Sequence, residues 1–376
     1  MANQSISKSY KFRIFPSKRQ TTKLVNALDL CRFLYNSALQ ERRDAYCLNR
    51  ISLNYYDQAN QLKEIKETNP EYKDVHSQIS QDVLKRIDKA FQSFFRRIKS
   101  KKEKAGFPRF QNRHRYNSFT YSQTGFSISD NRLTLSKIGK VKIKVHRVII
   151  GKVKTLTISR DSCGKWFACF VVETAKEILE PTNKSVGCDA GITTFLTLSD
   201  GTEIGNPRFL KTDEKILAIA QKRLSIQLKG SKERYKKRKI VAKIHNRIKN
   251  RRVNFAHQMS RFLVNNYDQI FFEDLNVKGM VKNHCLAKAI SDVSWNQMIS
   301  FTTYKAENAG RICKTINPAY TSQDCSNCGN RQKMPLELRL YECSNCHISI
   351  SRDLNAAINI KTVGLNSLGF ALEATT

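Results

Sequence analysis

Acidic residues are scarce in this sequence, and the shortage determines its net charge. Only 32 Asp and Glu stand against 66 Lys and Arg, which gives a formal net charge of +34 over 376 residues. The excess positive charges on such a surface repel one another unless a polyanion accompanies the folded chain. The composition therefore predicts a nucleic-acid partner, with an anionic membrane surface as the weaker candidate.

Long apolar runs are also missing. No stretch approaches the ~20 apolar residues that cross a bilayer, and residues 1–10 lack the apolar core of a signal peptide. We therefore expect a cytoplasmic protein without a membrane partner, whose 11 cysteines are reduced and mostly buried as small hydrophobic residues, apart from the four discussed below. An apolar content of 40% is still sufficient for two or three packed domains.

The first half of the sequence predicts a β-domain that is interrupted by helices. A short strand comes first, and Ser17 with Gln20 has the capping-box form that opens a helix. Helical periodicity follows, and short alternating runs separated by turn residues then return. We expect a β-barrel or sandwich formed by residues 1–16 and 117–180, with a helical bundle at 17–116 inserted between its strands.

The second half predicts an α/β domain, so the whole chain is expected to be an α+β multidomain protein. Three strands, two long helices and a further alternation of strands and helices give the element order of an RNase H-like fold. We expect this domain to comprise residues 184–318 and 349–365. A cysteine-rich ribbon at 319–348 interrupts it, and a C-terminal tail at 366–376 follows it.

Four cysteines form two Cys-x2-Cys pairs at ribbon spacing, namely Cys325, Cys328, Cys343 and Cys346. Four thiolates in this arrangement are typical of one tetrahedral zinc ion. The second pair with His347 resembles a c-type haem attachment sequence, but that interpretation leaves the first pair unexplained. Because all four ligands come from the protein, the zinc is expected to fold the ribbon and to take no part in catalysis.

Three carboxylates fall at the ends of predicted elements in the α/β domain: Asp189, Glu273 and Asp353. Phosphodiester hydrolysis at neutral pH commonly uses two divalent ions, and Mg²⁺ prefers carboxylate ligands. Each residue also has a structural explanation; Asp353, for example, suits the positive end of a helix dipole. Strand alternation does not choose between Glu273 and Asp274, and we favour Glu273 as the ligand. Jointly the three acids predict a nuclease centre with two Mg²⁺ ions.

Basic residues are concentrated at two places that suit contact with phosphates. In the helical pair between residues 229 and 252, the candidate contacts are Lys236, Lys237, Arg238, Arg251 and Arg252. In the first half, aromatic and basic side chains alternate as in base-stacking surfaces, and the candidates are Arg109, Arg113, Arg115 and Tyr116. A charge run can also be a solvated helix face, and some of the rings can belong to the core.

At several places along nearly the whole chain, the sequence resembles the TnpB family of transposon-encoded RNA-guided nucleases, which is related to type V CRISPR effectors. The residues that carry the resemblance are Phe12-Arg-Ile-Phe-Pro16 with Gln20, Phe33-Leu-Tyr-Asn36, Gly106-Phe-Pro-Arg-Phe110, Gly187-Cys-Asp-Ala-Gly191, Phe272-Glu-Asp-Leu275, Asn317-Pro-Ala-Tyr-Thr-Ser322 and Arg352-Asp-Leu-Asn-Ala-Ala-Ile-Asn359.

The resemblance implies that Asp189, Glu273 and Asp353 form a RuvC-type triad. It also implies that the β-domain, as a wedge-like element, and the helical bundle, as a recognition element, hold a guide RNA and its heteroduplex with target DNA, and that a short motif beside the target is read. The chain departs from the family at Ser351, where Asp is common, and at His347, where Gly is common. The hydroxyl of Ser351 is expected to cap the last helix instead.

The first functional hypothesis is an RNA-guided, Mg²⁺-dependent DNA endonuclease encoded by a transposable element. The alternatives are a catalytically weak RNA- and DNA-binding regulator and a transposase or transposase accessory protein. A Tyr nucleophile with a His-hydrophobic-His pattern is not found, which disfavours a tyrosine transposase. The guide RNA, the motif beside the target, the order of strand cleavage and the oligomeric state stay open.

Overall fold

The computed structural model describes residues 5–101, 104–280, 282–335 and 338–369, except for the side chains of Lys278 and residues 284–286. The predicted tail beyond residue 369 and small parts of the other predicted segments lie outside these residues. The chain divides into two compact units, Met1–Ala175 and Lys176–Thr376. None of the helices in the described part of the chain is both long and apolar enough to span a bilayer.

The first unit contains a seven-stranded antiparallel sheet that is nearly closed and barrel-like. Its strands are β1 (Ser5–Phe15), β2 (Ser118–Tyr121), β3 (Phe126–Ser129), β4 (Arg132–Leu135), β5 (Gly139–Lys144), β6 (Lys152–Arg160) and β7 (Trp166–Ala175). They are ordered β2-β6-β7-β1-β5-β4-β3. β1 pairs with β7 from Ser5 opposite Ala175 to Ile14 opposite Trp166.

The helices of the first unit lie between β1 and β2 in the sequence. They are α1 (Lys18–Asn49), α2 (Tyr55–Asn60), α3 (Leu62–Thr68), a 3-10 helix (Pro70–Asp74) and α4 (Ser77–Ser100). The predicted capping box opens α1, since Gln20 N–H donates to Ser17 Oγ at 3.3 Å and Ser17 N–H donates to Gln20 Oε1 at 2.9 Å. Apolar residues of α1, α4 and the strands, such as Leu24, Ile87 and Phe12, share one core.

The second unit contains a five-stranded mixed sheet in the order β10-β9-β8-β11-β12. The strands are β8 (Ser185–Asp189), β9 (Thr194–Leu198), β10 (Glu203–Gly205), β11 (Gln269–Glu273) and β12 (Ile312–Ile316). β8, β11 and β12 are parallel to one another, whereas β9 and β10 form antiparallel pairs. The carboxyl ends of the three parallel strands therefore meet at one edge of the sheet.

The helices of the second unit are α5 (Phe209–Ser225), α6 (Lys232–Asn266), α7 (Val277–Met280), α8 (His284–Val293), α9 (Trp295–Asn308) and α10 (Arg352–Asn366). A hairpin of β13 (Leu340–Glu342) and β14 (Ser349–Ser351) precedes α10. The predicted long helices and strands of this half are present with small shifts at their ends. The short helices α7 and α8 were not predicted from the sequence.

Two glycines let α10 pack directly against the sheet. A Cβ atom on Gly187 of β8 would lie 2.1 Å from the carbonyl oxygen of Ala357 and 2.5 Å from the backbone nitrogen of Lys361. A Cβ atom on Gly364 of α10 would lie 2.2 Å from the ring of Phe271 in β11. Only residues without a side chain permit these approaches, so α10 lies against the sheet at backbone distance.

Candidate active site and metal centre

Three carboxylates meet at the carboxyl edge of the second sheet. Asp189 ends β8, Glu273 ends the neighbouring strand β11, and Asp353 lies in the first turn of α10, which packs on β8. Burial, followed by the negative charges of Glu273 and Asp353, raises the pKa of Asp189 to about 7, and Arg352 opposes the shift. The three acids therefore share one half-buried electrostatic environment.

The structure distinguishes Glu273 from Asp274. Glu273 is half-buried, and burial raises the pKa of its carboxyl while a hydrogen bond from Thr321 lowers it. The hydroxyl of Thr321 donates to Glu273 Oε1 at 2.6 Å. Asp274 is exposed, and its backbone N–H donates to the carbonyl of Ile316. Glu273 is thus the member of the pair that lies beside Asp189.

The donor atoms of these acids are of the kind that a hard divalent cation takes, although among the described residues only the four cysteines place their ligand atoms within 4.8 Å of one another. The ligand atoms are carboxylate oxygens from three separate elements, which is the donor type that Mg²⁺ prefers. Burial, and then repulsion by the neighbouring carboxylates, disfavour the ionised form of Asp189, whose pKa is raised to about 7. A bound cation would relieve that repulsion and favour the ionised carboxylates.

The four cysteines of the predicted ribbon form a compact cluster. The Sγ atoms of Cys325, Cys328, Cys343 and Cys346 all lie within 4.8 Å of one another. The pairs Cys325–Cys346 and Cys328–Cys343 are each separated by 3.6 Å. Tetrahedral zinc with Zn–S bonds of about 2.3 Å requires sulfur atoms about 3.8 Å apart, so the cluster fits one metal ion such as zinc.

Hydrogen bonds prepare part of this cluster to carry negative charge. Backbone N–H groups of Asn345 and Cys346 lie 3.4 and 3.5 Å from Cys343 Sγ, and these contacts lower the pKa of that thiol. The pKa of Cys346 is lowered to about 6, first by the side chain of Asn327 and then by the backbone of Ile348. Thiolates are the form that binds zinc.

The predicted basic contacts of α6 fall into two groups. Lys236 and Arg238 are exposed, with Lys236 paired to Glu233 at 2.6 Å. Arg252 is half-buried and pairs with Asp292, whereas Arg251 is exposed and lies 3.4 Å from a carboxylate oxygen of the fully buried Asp213. These two arginines therefore already have partners within the protein.

The predicted contacts of the first unit also divide. Arg109, Arg113 and Arg115 are exposed, although Arg113 pairs with Asp29 at 2.9 Å. Tyr116 is buried with 7% of its surface exposed. Its ring lies 6.2 Å from the ring of Tyr35, centroid to centroid. The prediction that Tyr116 contacts nucleic acid is therefore corrected, because this ring belongs to the core and cannot stack on a base.

Comparison with known proteins assigns the family. A protein of Streptomyces pristinaespiralis named "Putative RNA-guided DNA endonuclease" is 34% identical over 370 residues, which cover 96% of this chain and 90% of that protein. "Putative RNA-guided DNA endonuclease InsQ" of Escherichia coli K12 is 30% identical over 378 residues, covering 95% and 92%. The chain belongs to the TnpB family. The family resemblance seen in the sequence is thus confirmed.

The fold of this TnpB protein agrees with a distant solved structure. The cryo-EM structure of a Cas12f1–sgRNA–target DNA complex contains a chain with a TM-score of 0.61 and 12% identity, covering 95% of this chain and 99% of that one. At such low identity the likeness concerns the fold alone.

Three family models match separate parts of this TnpB protein. "Probable transposase" matches residues 169–284, "Cas12f1-like, TNB domain" matches 295–360 and "Helix-turn-helix domain" matches 1–50. In the described part of residues 1–50, the structure contains β1 and the single long helix α1. Residues 5–50 therefore form a strand and a helix rather than two helices joined by a turn.

The two departures from the TnpB pattern have different structural consequences. His347 has a φ of 58°, in the left-handed region that glycine enters without strain. This explains why glycine is common there. Ser351 is the N-cap residue of α10, but its side chain makes no capping hydrogen bond. The predicted Ser351 cap is therefore wrong.

Sequence reasoning missed three polar residues that surround the candidate site. Thr321 hydrogen bonds to Glu273, and Asn355 and Asn359 hydrogen bond to the segment before the first cysteine pair. Thr321 and both asparagines stand within motifs that carry the TnpB resemblance. The available signal was the polar character of Asn355, which is fully buried beside Ala356 and Ala357 in the sequence of α10.

Proposed function

We propose that this chain is an RNA-guided, divalent-metal-dependent DNA endonuclease encoded by a transposable element, which cuts target DNA beside a short recognition motif. The observation that carries the proposal is the placement of Asp189 and Glu273 at the ends of two adjacent parallel strands and of Asp353 in the first turn of α10, which packs on β8. The two relatives named as RNA-guided DNA endonucleases, aligned over almost the whole chain, support it.

The proposed domain organisation assigns these acids to a RuvC-like domain. It comprises residues 184–318 and 349–365, with the zinc ribbon at 319–348. The element order around β8, β11, β12 and α10 supports this assignment. In the first unit, we assign 1–16 and 117–180 to a wedge-like β-barrel and 17–116 to an inserted recognition bundle.

In the proposed mechanism, the three carboxylates would hold Mg²⁺, with two ions as the expected number. The bound ions would supply an activated water and stabilisation of the charge that develops on the leaving oxygen. The protein contributes the placement of the ligands: two adjacent parallel strands present Asp189 and Glu273, and α10 adds Asp353. Arg352 offsets part of the negative charge that these acids place on Asp189. The zinc ion folds the ribbon.

The proposed partners are a guide RNA and target DNA. A formal charge of +34 supplies the long-range attraction to both. On α6 we assign phosphate contact to Lys236, Lys237 and Arg238, and on the first unit to Arg109, Arg113 and Arg115. Arg251 and Arg252 are assigned instead to the internal ion pairs described above.

Substitution of Asp189 tests the proposal. The RNA that copurifies with the full chain is sequenced to identify the guide, and cutting is measured on DNA that carries the matching target beside randomised flanks. Asp189→Ala is expected to abolish cutting and to leave RNA binding unchanged. Asp274→Ala is the matched control, because this neighbouring acid is exposed, and it should cut as the parent does.

Two outcomes would count against the proposal. Full cutting by Asp189→Ala would show that the acids are not the catalytic centre. Guide-dependent binding by the parent without Mg²⁺-dependent cutting would instead favour the catalytically weak regulator, which the complete set of three acids disfavours.

A further inference from the structure

The hydroxyl of Thr321 connects a proposed catalytic acid to the zinc ribbon. Thr321 is buried, and its Oγ1 lies 2.6 Å from Glu273 Oε1 and 3.1 Å from the carbonyl oxygen of Pro318. A hydroxyl has a single hydrogen to donate, and a carboxylate is the stronger acceptor. The shorter contact is therefore the hydrogen bond from Thr321 to Glu273.

The segment that carries Thr321 is fixed from α10. Nδ2 of Asn359 donates to the carbonyl oxygens of Thr321 at 2.8 Å and of Asp324 at 2.7 Å. Nδ2 of the fully buried Asn355 also donates to Asp324 O at 2.8 Å, and its Oδ1 accepts from the N–H of Ser326 at 2.8 Å. The two asparagines thus hold the backbone on both sides of the first zinc cysteine.

These hydrogen bonds form a continuous series. Two asparagines of α10 hold the backbone on both sides of Cys325. The segment that they hold also carries Thr321. Thr321 in turn fixes one oxygen of Glu273. The carboxylate of Glu273 would otherwise rotate about its last side-chain bond, and such terminal torsions have broad preferences. Hydrogen bonds of this kind commonly orient the carboxylates that bind metal ions.

We propose that Thr321 is a positioning residue for Glu273, through which the zinc-bound ribbon sets the affinity of the catalytic edge for divalent metal. This inference rests on the proposed function, because it takes Glu273 as a metal ligand. It extends the role of the ribbon beyond holding zinc, because the segment that carries Cys325 also carries Thr321, whose hydroxyl orients Glu273.

Two substitutions of Thr321 distinguish the effect of its hydroxyl from the effect of its side-chain packing. Thr321→Val keeps the shape and removes the hydroxyl, whereas Thr321→Ser keeps the hydroxyl and removes a methyl group. Affinity for Mn²⁺, used as a spectroscopic substitute for Mg²⁺, is measured on the full chain by electron paramagnetic resonance together with zinc content. Thr321→Val is expected to keep its zinc and to lose about 10- to 100-fold in Mn²⁺ affinity and cutting rate, and Thr321→Ser is expected to restore both.

The proposal is overturned if Thr321→Val retains zinc and binds Mn²⁺ as the parent does, or if Thr321→Ser is as defective as Thr321→Val. Should Thr321→Val fail to fold, Asn359→Ala provides the second variant, because it removes two of the hydrogen bonds that hold the segment, including the one to the carbonyl oxygen of Thr321. Zinc-loaded Asn359→Ala with unchanged Mn²⁺ affinity would equally contradict the series.

Asp189→Asn distinguishes failure of this inference from failure of the proposed function. If Asp189→Asn leaves Mn²⁺ affinity and cutting unchanged, the three acids are not the metal site and the proposed function is wrong. If Asp189→Asn abolishes both while Thr321→Val changes neither, the metal site stands and only the role of Thr321 fails.

Discussion

Arg252 on α6 donates through Nε to Oδ1 of Asp292 on α8 at 2.9 Å. The same carboxylate accepts hydrogen bonds from the N–H of Leu210, in the first turn of α5, at 3.1 and 3.0 Å. Asp292 therefore joins three helices, and 10% of its side chain is exposed. A basic residue that looked suited to nucleic acid is part of the internal structure.

The Arg252–Asp292 pair leads to a prediction about stability. Arg252→Ala leaves a largely buried carboxylate without its cationic partner, and we expect a loss of roughly 2–4 kcal/mol in the free energy of unfolding. The expected drop in Tm is roughly 5–10 °C by differential scanning calorimetry. Arg238→Ala on the exposed part of the same helix should change the stability by less than about 0.5 kcal/mol. Equal melting curves for the two variants would contradict the assignment.

The exposed part of α6 leads to a prediction about RNA binding. Removal of one phosphate contact should reduce the slope of log K against log salt by roughly 0.7–0.9. We expect Lys236→Ala to weaken guide binding and to lower this slope, measured by fluorescence anisotropy at several salt concentrations. Glu233→Ala is the control, because it removes the anionic partner of Lys236 and should not weaken binding. An unchanged slope for Lys236→Ala would remove this residue from the interface.

Lys305 leads to a prediction about pH. It is buried, and its Nζ donates to the carbonyl oxygen of His257 at 2.7 Å and to Ser260 Oγ at 2.6 Å. Burial, together with the charge of Arg261, lowers the pKa of Lys305 from 10.5 to about 8. Between these two values the unfolded chain keeps the proton and the folded chain loses it, so rising pH favours the folded state.

The destabilisation by Lys305 is therefore complete below pH 8 and disappears as the pH rises towards 10.5. At 1.36 kcal/mol per pKa unit its upper limit is roughly 3 kcal/mol. Lys305→Met should lack this contribution. As the pH rises from about 7.5 to about 10, the unfolding free energy of the parent should therefore increase relative to that of the variant. Urea denaturation across this range measures the difference, and parallel pH curves would show that Lys305 keeps an ordinary pKa.

The cysteine cluster leads to a prediction about metal removal. Cys343→Ser should lose zinc, because a serine hydroxyl is not a ligand at neutral pH, and cutting should fall with it. Cys346 stands only seven positions before Asp353, so disorder of the ribbon would reach the start of α10. Cys47→Ser, an exposed cysteine of the first unit, should keep both zinc and activity. Full cutting by zinc-free Cys343→Ser would refute the coupling.

The sequence predicted the features that depend on local spacing. The cysteine pairs, the capping box at Ser17 and the long strands and helices of the second unit all follow from residues that are close together in the chain. The choice between Glu273 and Asp274 did not follow, because it depends on a hydrogen bond to Thr321, 48 residues away. Strand alternation places two adjacent residues on opposite faces but does not say which face meets the other acids.

The basic run on α6 shows the same limit. Net charge could not separate Lys236 from Arg252, because the acids that neutralise the arginines come from other helices. Asp213 lies 38 positions from Arg251, and Asp292 lies 40 positions from Arg252. Tyr116 was misassigned for a similar reason, since the ring of Tyr35 that it packs against belongs to α1.

The contact between Gly187 and α10 has a consequence for how the protein tolerates mutation. Any side chain at position 187 would have to push back the backbone at Ala357 or Lys361, and the whole helix would move with it. Asp353 is carried on that helix. Even the unreactive methyl group of an alanine at position 187 would therefore move Asp353 away from Asp189. In a library selected for DNA cutting, position 187 should accept as few replacements as Asp189 itself.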